Sequence, residues 1–515
     1  MKKSHHYILV FIGLAAGVFL AQAYIKRGPT MSDTLRIAFP NSLPARSYEP
    51  TRIHLAPEYI FLENTFSPLV ELSPNDATIR SGLADKWEWK NDELHFFIRD
   101  GVKTIDGKAI TAEDAAFSLK RLLVRTQNTH GNLKDLVCKG YEVKSIEDAC
   151  PGISYKDNEL ILKIVGKSAF ILPMLTGIDF AIIPKSSVDP KSLEIIDYRN
   201  TSGPYYVSRD SESGSIELSA NTSHYHYSKS IAQKIQLVPV DPKNKSDSLR
   251  LFNESKIDLI TTIDSAKSEE VYELSKMSPG AEFHSTANIR TFALFFTDRG
   301  MKELSPLQRL LIGKKIKESV SSHFLKLPGY ENTYQFFPQH GDGAIDTEKA
   351  RQILERPTPM VDMSKLNLSI SIVRVGNIED YKKFILSAIP SATVLEGKNL
   401  PSFQKYNTFK EMPHAYILGP DTGFNEDISL ISYSLMAGFF GLNEKERQDW
   451  LANYMSKQNK DDRLKLLQQI HESALTDALF VPLFSSPYTA LVKKGWKIQL
   501  SKILANNPLW LITKD

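Results

Sequence analysis

The stretch that decides the fold runs Phe96-Phe97-Ile98-Arg99-Asp100-Gly101, then Asp106-Gly107-Lys108-Ala109-Ile110-Thr111-Ala112-Glu113-Asp114. Leu94, Phe96 and Ile98 alternate with His95, Phe97 and Arg99, and period-2 alternation predicts a strand with one packed face. Asp106-Gly107 is a turn signal. Thr111 then opens a helix, because its hydroxyl can accept from a free backbone N–H and the acids after it suit the positive end of the dipole. Ala112, Ala115, Ala116, Leu119, Leu122 and Leu123 fall on one face at helical spacing. Lys120, Arg121 and Arg125 lie near the other end, where cations are favourable.

Working outward, Thr34–Phe39 reads as a strand, and Trp87 and Trp89 alternate with charged residues as another. Glu159–Val165 and Ile178–Pro184 form a strand-rich block, followed by Ser215–Ala220 and Lys234–Val240. Leu304–Val320 and Asp346–Glu355 are helical, with Asp346 as a cap. Leu366–Val375 alternates as a strand. Asn443–Leu475 is a helical stretch broken near Lys457–Asp462, and Phe480–Ser485 and Tyr488–Val492 are strands. The class is α/β with interrupted order.

The 515 residues carry 63 Lys and Arg against 60 Asp and Glu, a net charge of +3, which gives no general attraction to nucleic acid. Lys2 and Lys3 precede an apolar run from Tyr7 to Ile25 that contains Ala21-Gln22-Ala23. This reads as a secretory signal over 1–23, cleaved after Ala23. The alternative is an uncleaved anchor, since Tyr7–Ile25 can just span a bilayer. Two cysteines exclude a Cys-rich zinc site. In an oxidising compartment Cys138 and Cys150 could close a short loop; free thiols are the other reading.

No G-x-S-x-G elbow, H-E-x-x-H or phosphate-binding loop occurs. A hydrolase would need a Ser or Cys nucleophile beside a His in a cleft. His224 and His226 form an H-x-H that reads more simply as part of an aromatic segment with Tyr225 and Tyr227 than as a metal site. No cofactor or metal is implied.

The ordered segments resemble the bacterial extracytoplasmic solute-binding proteins of the oligopeptide, dipeptide and nickel class (family 5). Gly82-Leu83-Ala84-Asp85-Lys86-Trp87-Glu88, the Asp106–Asp114 stretch, Thr201-Ser202-Gly203-Pro204-Tyr205 and Lys256-Ile257-Asp258-Leu259 are similar to that family's signatures. Arg309, the helix at 346–354 and Val481-Pro482-Leu483 follow in its order. The resemblance implies a two-lobed α/β periplasmic binding protein of class II, cluster C type, with an extra subdomain inserted in lobe I. Lobe I would combine 34–75, 185–285 and 480–515, the inserted subdomain would be 76–184, and lobe II 286–479. It implies a monomeric, non-enzymatic subunit that closes on a peptide and delivers it to an ABC permease in the inner membrane. An anchored sensor of the same fold, or a binder of a metal chelate, haem or sugar, is the alternative.

The resemblance also places ligand contacts. Ile53-His54-Leu55-Ala56 would pair with the peptide from lobe I, with His54, Leu55 and Ala56 in contact. Leu418-Gly419-Pro420-Asp421 would do so from lobe II, with Asp421 holding the α-ammonium and Asp427 its rival. Here the chain departs from the family, which places an aromatic before the acid where Leu418 and Gly419 stand, and Pro420 has no N–H to offer.

Overall fold

The computed structural model describes residues 33–515 apart from 41–42, 54–55, 77, 129–132, 168–169, 242–243, 245–246, 262–267, 287–289, 338–340, 342, 374–377, 398–405, 421–427 and 502–506. The signal or anchor segment, His54, Leu55, Asp421 and Asp427 therefore lie outside the described residues. No helix among the described residues is long and apolar enough to cross a membrane.

Two sheets organise the chain. The first has seven strands, in the order Ala281–Ser285, Thr489–Lys493, Leu259–Thr261, Thr34–Pro40, Lys234–Val240, Ile216–Ala220, Tyr205–Asp210. The second has five, in the order Thr393–Gly397, Ser369–Val373, Ala415–Leu418, Arg290–Phe296, Phe480–Ser486. Both mix parallel strands with antiparallel neighbours. The chain passes between them twice, after Ser285 and after Ser486, and this makes two lobes.

The expected division put everything from 480 onward in the first lobe. Pairing instead places Phe480–Ser486 against Arg290–Phe296 in the second sheet, and only Thr489–Lys493 in the first. The return therefore falls at Pro487-Tyr488. Pro482 is accommodated because its strand is the outermost of the five and the register shifts opposite it, between Phe292 and Ala293.

The inserted unit is a four-stranded antiparallel sheet, Ala84–Lys90, Glu93–Ile98, Glu159–Lys163 and Ile153–Lys156, with the helix Ala112–Arg125 against it. Thr111 caps that helix as expected. Its Oγ1 accepts from Asp114 N–H at 3.2 Å while the Asp114 carboxylate accepts from Thr111 N–H at 3.0 Å, a reciprocal box. Ala84–Lys90 is an edge strand and largely exposed, with Lys86 and Lys90 ammonium groups 4.4 and 5.3 Å from the Phe97 ring centre. Lysines along such an edge discourage pairing with another chain. Ile178–Pro184 is not a strand: Ile178–Phe180 forms one 3-10 turn, and Ile182 alone bridges to Ser67. Cys138 and Cys150 are joined in a disulfide, both buried in this unit.

The family-like segments prove to be internal braces. Asp258 accepts from Arg36 backbone N–H at 3.0 Å and from Arg36 Nε and Nη2 at 2.9 and 2.6 Å, tying two first-sheet strands by a forked, charge-assisted bond. Ser202 Oγ accepts from Ser67 N–H at 3.1 Å and donates to the Ile182 carbonyl at 2.5 Å. A Cβ on Gly203 would lie 2.4 Å from the Thr65 carbonyl carbon, so the chain fits there only as glycine. The buried Arg309 donates to the carbonyls of Leu304, Asp477, Ala478 and Met301 at 2.6, 2.6, 3.0 and 3.2 Å. Leu304 and Asp477 end the helices Asp298–Glu303 and Lys460–Thr476, where a cation meets unsatisfied carbonyls.

Candidate functional site: the crevice between the lobes

In open sheets with parallel strands, ligands bind beyond the carboxyl ends of those strands. In the first sheet these ends are Pro40, Val240 and Thr261. Ser285 and Thr489 stand at the same end, because Ser285 pairs with Thr489 and Ala490 with Thr261. In the second sheet the ends are Val373, Gly397 and Leu418, and Arg290 and Ser486 stand beside them. Both crossings thus leave from the carboxyl ends of both sheets. The two sets of ends face one crevice, with the crossings as its floor.

The floor is tied together. Thr286 N–H donates to the Tyr488 carbonyl at 2.9 Å, and Tyr488 N–H donates to Thr286 Oγ1 at 3.1 Å. Glu331 and Ser485 exchange backbone bonds of 3.1 and 2.9 Å. Gly329, at φ +78°, lets the loop before Glu331 press on both crossings; a Cβ there would meet Ser285 Oγ and Pro487 Cβ at 2.4 and 2.8 Å. The lobes are therefore joined by two short segments cross-linked to each other, a geometry that permits hinge rotation.

On the second lobe, Leu418 ends a buried strand and its side chain belongs to that lobe's apolar core. Gly419 follows at the crevice end. A Cβ on it would meet Arg290 Cδ at 2.8 Å and the Phe292 ring at 3.0 Å, so the stem of Arg290 fills the place of a side chain. Arg290 was not singled out in the sequence; an isolated cation ahead of the apolar run Phe292–Phe296 is the signal that marks it. Beneath it, Phe292 stacks on Phe484 and Phe484 on Phe324, with ring centres 5.0 and 4.6 Å apart.

On the first lobe, Ile53 is extended, but Ala56 begins the helix Ala56–Thr65. As the first residue of that helix, Ala56 keeps a backbone N–H with no partner inside the helix. The loop before Ile53 is anchored by Glu49, whose buried carboxylate accepts from Arg121 Nη2 at 2.5 Å and from Thr51 N–H at 3.2 Å. Tyr198 donates its hydroxyl to the Tyr48 carbonyl in the same place. This buried pair, also unread in the sequence, fixes the loop to the inserted unit's helix.

The described Ser–His contacts lie elsewhere. Ser369 Oγ is 2.9 Å from His414 Nδ1, and His414 Nε2 is 2.9 Å from Glu303. That set sits at the amino end of Ser369–Val373, opposite the crevice, and Nδ1 already accepts from Ser369 N–H at 3.0 Å. His224 Nε2 meets Ser67 Oγ at 3.0 Å, while its Nδ1 accepts from His226 N–H at 3.1 Å. Burial holds its imidazole neutral, with its titration pushed well below the ordinary value. His226 turns away to Glu71 at 2.9 Å and stacks on Trp510, so the two imidazoles have separate partners.

The sequence profile of the bacterial extracellular solute-binding proteins, family 5 (middle region), matches residues 78–308. That match covers a little under half of the chain. The chain is 22% identical over 251 residues to the periplasmic oligopeptide-binding protein OppA of Salmonella typhimurium, covering 46% of each chain. It is 22% identical over 335 residues to di/tripeptide-binding protein 2 of Pseudomonas aeruginosa, covering 59% of this chain and 60% of that one. The matched stretches thus span about half the length of these curated relatives. NikA from Brucella suis, solved with Fe(III)-EDTA, superposes with a TM-score of 0.74 at 15% identity over 94% of this chain and all of the other. That similarity shows that the two-lobed architecture of the family 5 proteins extends over nearly the whole chain. The crevice described above lies between those lobes.

Proposed function

We propose that this chain is a family 5 protein, the extracytoplasmic solute-binding subunit of an ABC importer and a non-enzymatic monomer that closes on peptides and presents them to an inner-membrane permease. The observation that carries the reading is the single crevice at the carboxyl ends of both sheets, floored by two cross-linked crossings. A solute touching both lobes only when they are closed shifts the open–closed balance by that differential contact. An extended peptide pairs its main chain with the protein's, which tolerates many side chains. The relatives named above as oligopeptide- and di/tripeptide-binding support this solute class. In this reading Asp421 holds the α-ammonium by a charge-assisted bond, with Asp427 as the competing position. The segment 1–23 directs export to the periplasm.

A second reading, a non-peptide solute such as a metal chelate, is favoured by one observation. The stretch aligned with the family's peptide-pairing edge is Leu418-Gly419-Pro420, with a buried leucine, a glycine under Arg290 and a residue lacking N–H. Native mass spectrometry of protein purified from its host separates the two. A co-purified set of short peptides supports the first; a chelate, haem or sugar replaces it with the second.

A further inference from the structure

The lobes also meet away from the crossings. The helix Lys460–Thr476 is followed directly by the strand Phe480–Ser486, which runs back towards the crevice. The helix's amino end, and the turn at Lys457–Asn459 before it, therefore lie at the crevice end of the second lobe. Tyr454, at the end of the helix Glu444–Ser456, is fully buried there, stacked with Trp450 at 5.6 Å between ring centres. A further ring neighbour comes from the inserted unit: Phe170, itself buried, lies edge-on at 6.1 Å and 85°. Beside it the Gln458 side-chain amide donates to the Gly166 carbonyl.

The apolar core of the inserted unit consequently runs without a break into that of the second lobe, whereas the first lobe's sheet has separate cores of its own. Covalently the inserted unit belongs with the first lobe, so this contact spans the crevice and any opening must break it. We propose that the Phe170–Tyr454 contact, with Gln458 on the Gly166 carbonyl, is a latch that holds the lobes together without help from solute. Truncating Tyr454 removes the Phe170 contact from the closed form, whereas the open form has already lost it, so the closed form alone loses the aromatic contact that favours it. The latch does not depend on which solute fills the crevice, and its test needs none.

Since the described cysteines are paired, spin labels can be placed on the exposed Asp157 and Lys445 by D157C and K445C, one on each side of the contact. Protein freed of solute by unfolding and refolding is then measured by pulsed dipolar spectroscopy. The labelled parent should give one narrow, short distance. Tyr454→Ala should lower the closed-to-open ratio roughly tenfold and add a broad, longer component. Gln458→Ala, at an exposed position with no core to disturb, should move the distribution the same way by a smaller amount. A parent already broad and long would overturn the latch. So would a Gln458→Ala distribution matching the parent's, or a folded Tyr454→Ala doing so.

Discussion

His471 allows the acid sensitivity of the second lobe to be worked out in advance. It lies in the helix Lys460–Thr476 with no exposed surface. Its Nε2 accepts from Phe336 N–H at 3.1 Å, so the proton is on Nδ1, which faces the Gly343 carbonyl at 3.1 Å. Phe480 stacks on the ring and Phe337 meets it edge-on. A second proton would set an N–H against the Phe336 N–H inside an apolar shell. Burial accordingly pushes its titration down from 6.5 to about 4. Because the folded value lies below the unfolded one, the unfolded chain binds more protons in between. The stability is fully present above about pH 6.5 and is lost as pH falls towards 4. At 1.36 kcal/mol per unit, the difference is about 3 kcal/mol. Urea unfolding of the parent and of His471→Gln should be measured from pH 7.5 to pH 4. The variant still carries an acceptor and a donor but cannot titrate. Its disadvantage at pH 7.5 should therefore shrink by about 3 kcal/mol at pH 4. A gap that stays constant with pH would falsify the assignment of this imidazole as a buried neutral bridge.

Three further outcomes are expected. Replacing Cys138 and Cys150 together by alanine frees a loop with a sequence separation of 12 and should cost about 3 kcal/mol in thermal or urea unfolding; an unchanged midpoint would show that the bridge does not constrain the unfolded chain. Glu63, half-buried and near Asp179, has its carboxyl pushed up to about 8 by desolvation first and the Asp179 charge second. Its folded value is raised, so the cost grows as pH climbs above 4.5; Glu63→Gln should stabilise the protein by about 1–3 kcal/mol at pH 8 and hardly at pH 4, and equal effects at both pH values would refute this. Asp421→Ala should weaken peptide binding by about 1.5–3 kcal/mol in calorimetry with the co-purified peptides, and unchanged affinity would remove Asp421 from the site.

Local chemistry was legible where a few neighbouring residues settle it. Thr111 and Asp114 close a box within one turn, Asp346 caps Thr347–Glu355 by accepting from Lys349 N–H, and the break near Lys457–Asp462 separates two helices. Non-local choices were not legible. Phe480–Ser486 and Thr489–Lys493 are both apolar and almost wholly buried, so nothing within either strand says which sheet it joins. Ile178–Pro184 has the composition of a strand, yet its backbone turns at Ile178–Phe180 and offers one bridge. At the site, the glycine at 419 was read as a contact, but its role beside Arg290 comes from a pairing 125–130 residues apart in sequence, Ala293 with Leu418. Glu49 and Arg121 are likewise 72 positions apart, and only the folded chain shows that they are one pair.

The residues that carry the family likeness and the strand ends beside the crossings are physically separate sets. Asp258 with Arg36, Ser202 with Ser67 and Ile182, and Arg309 with four carbonyls each make their bonds away from the crevice and within one side of it. Each of them therefore braces one side of the crevice by itself. In the proposed reading a solute is met at the crevice ends of the strands, where Gly419 and Arg290 stand. This accounts for one architecture being shared with proteins named for peptides and with one solved around Fe(III)-EDTA. The departure at Leu418-Gly419-Pro420 likewise leaves the fold untouched: Leu418 keeps its place in the sheet opposite Ala293, and the change begins one residue later, where the chain enters the crevice.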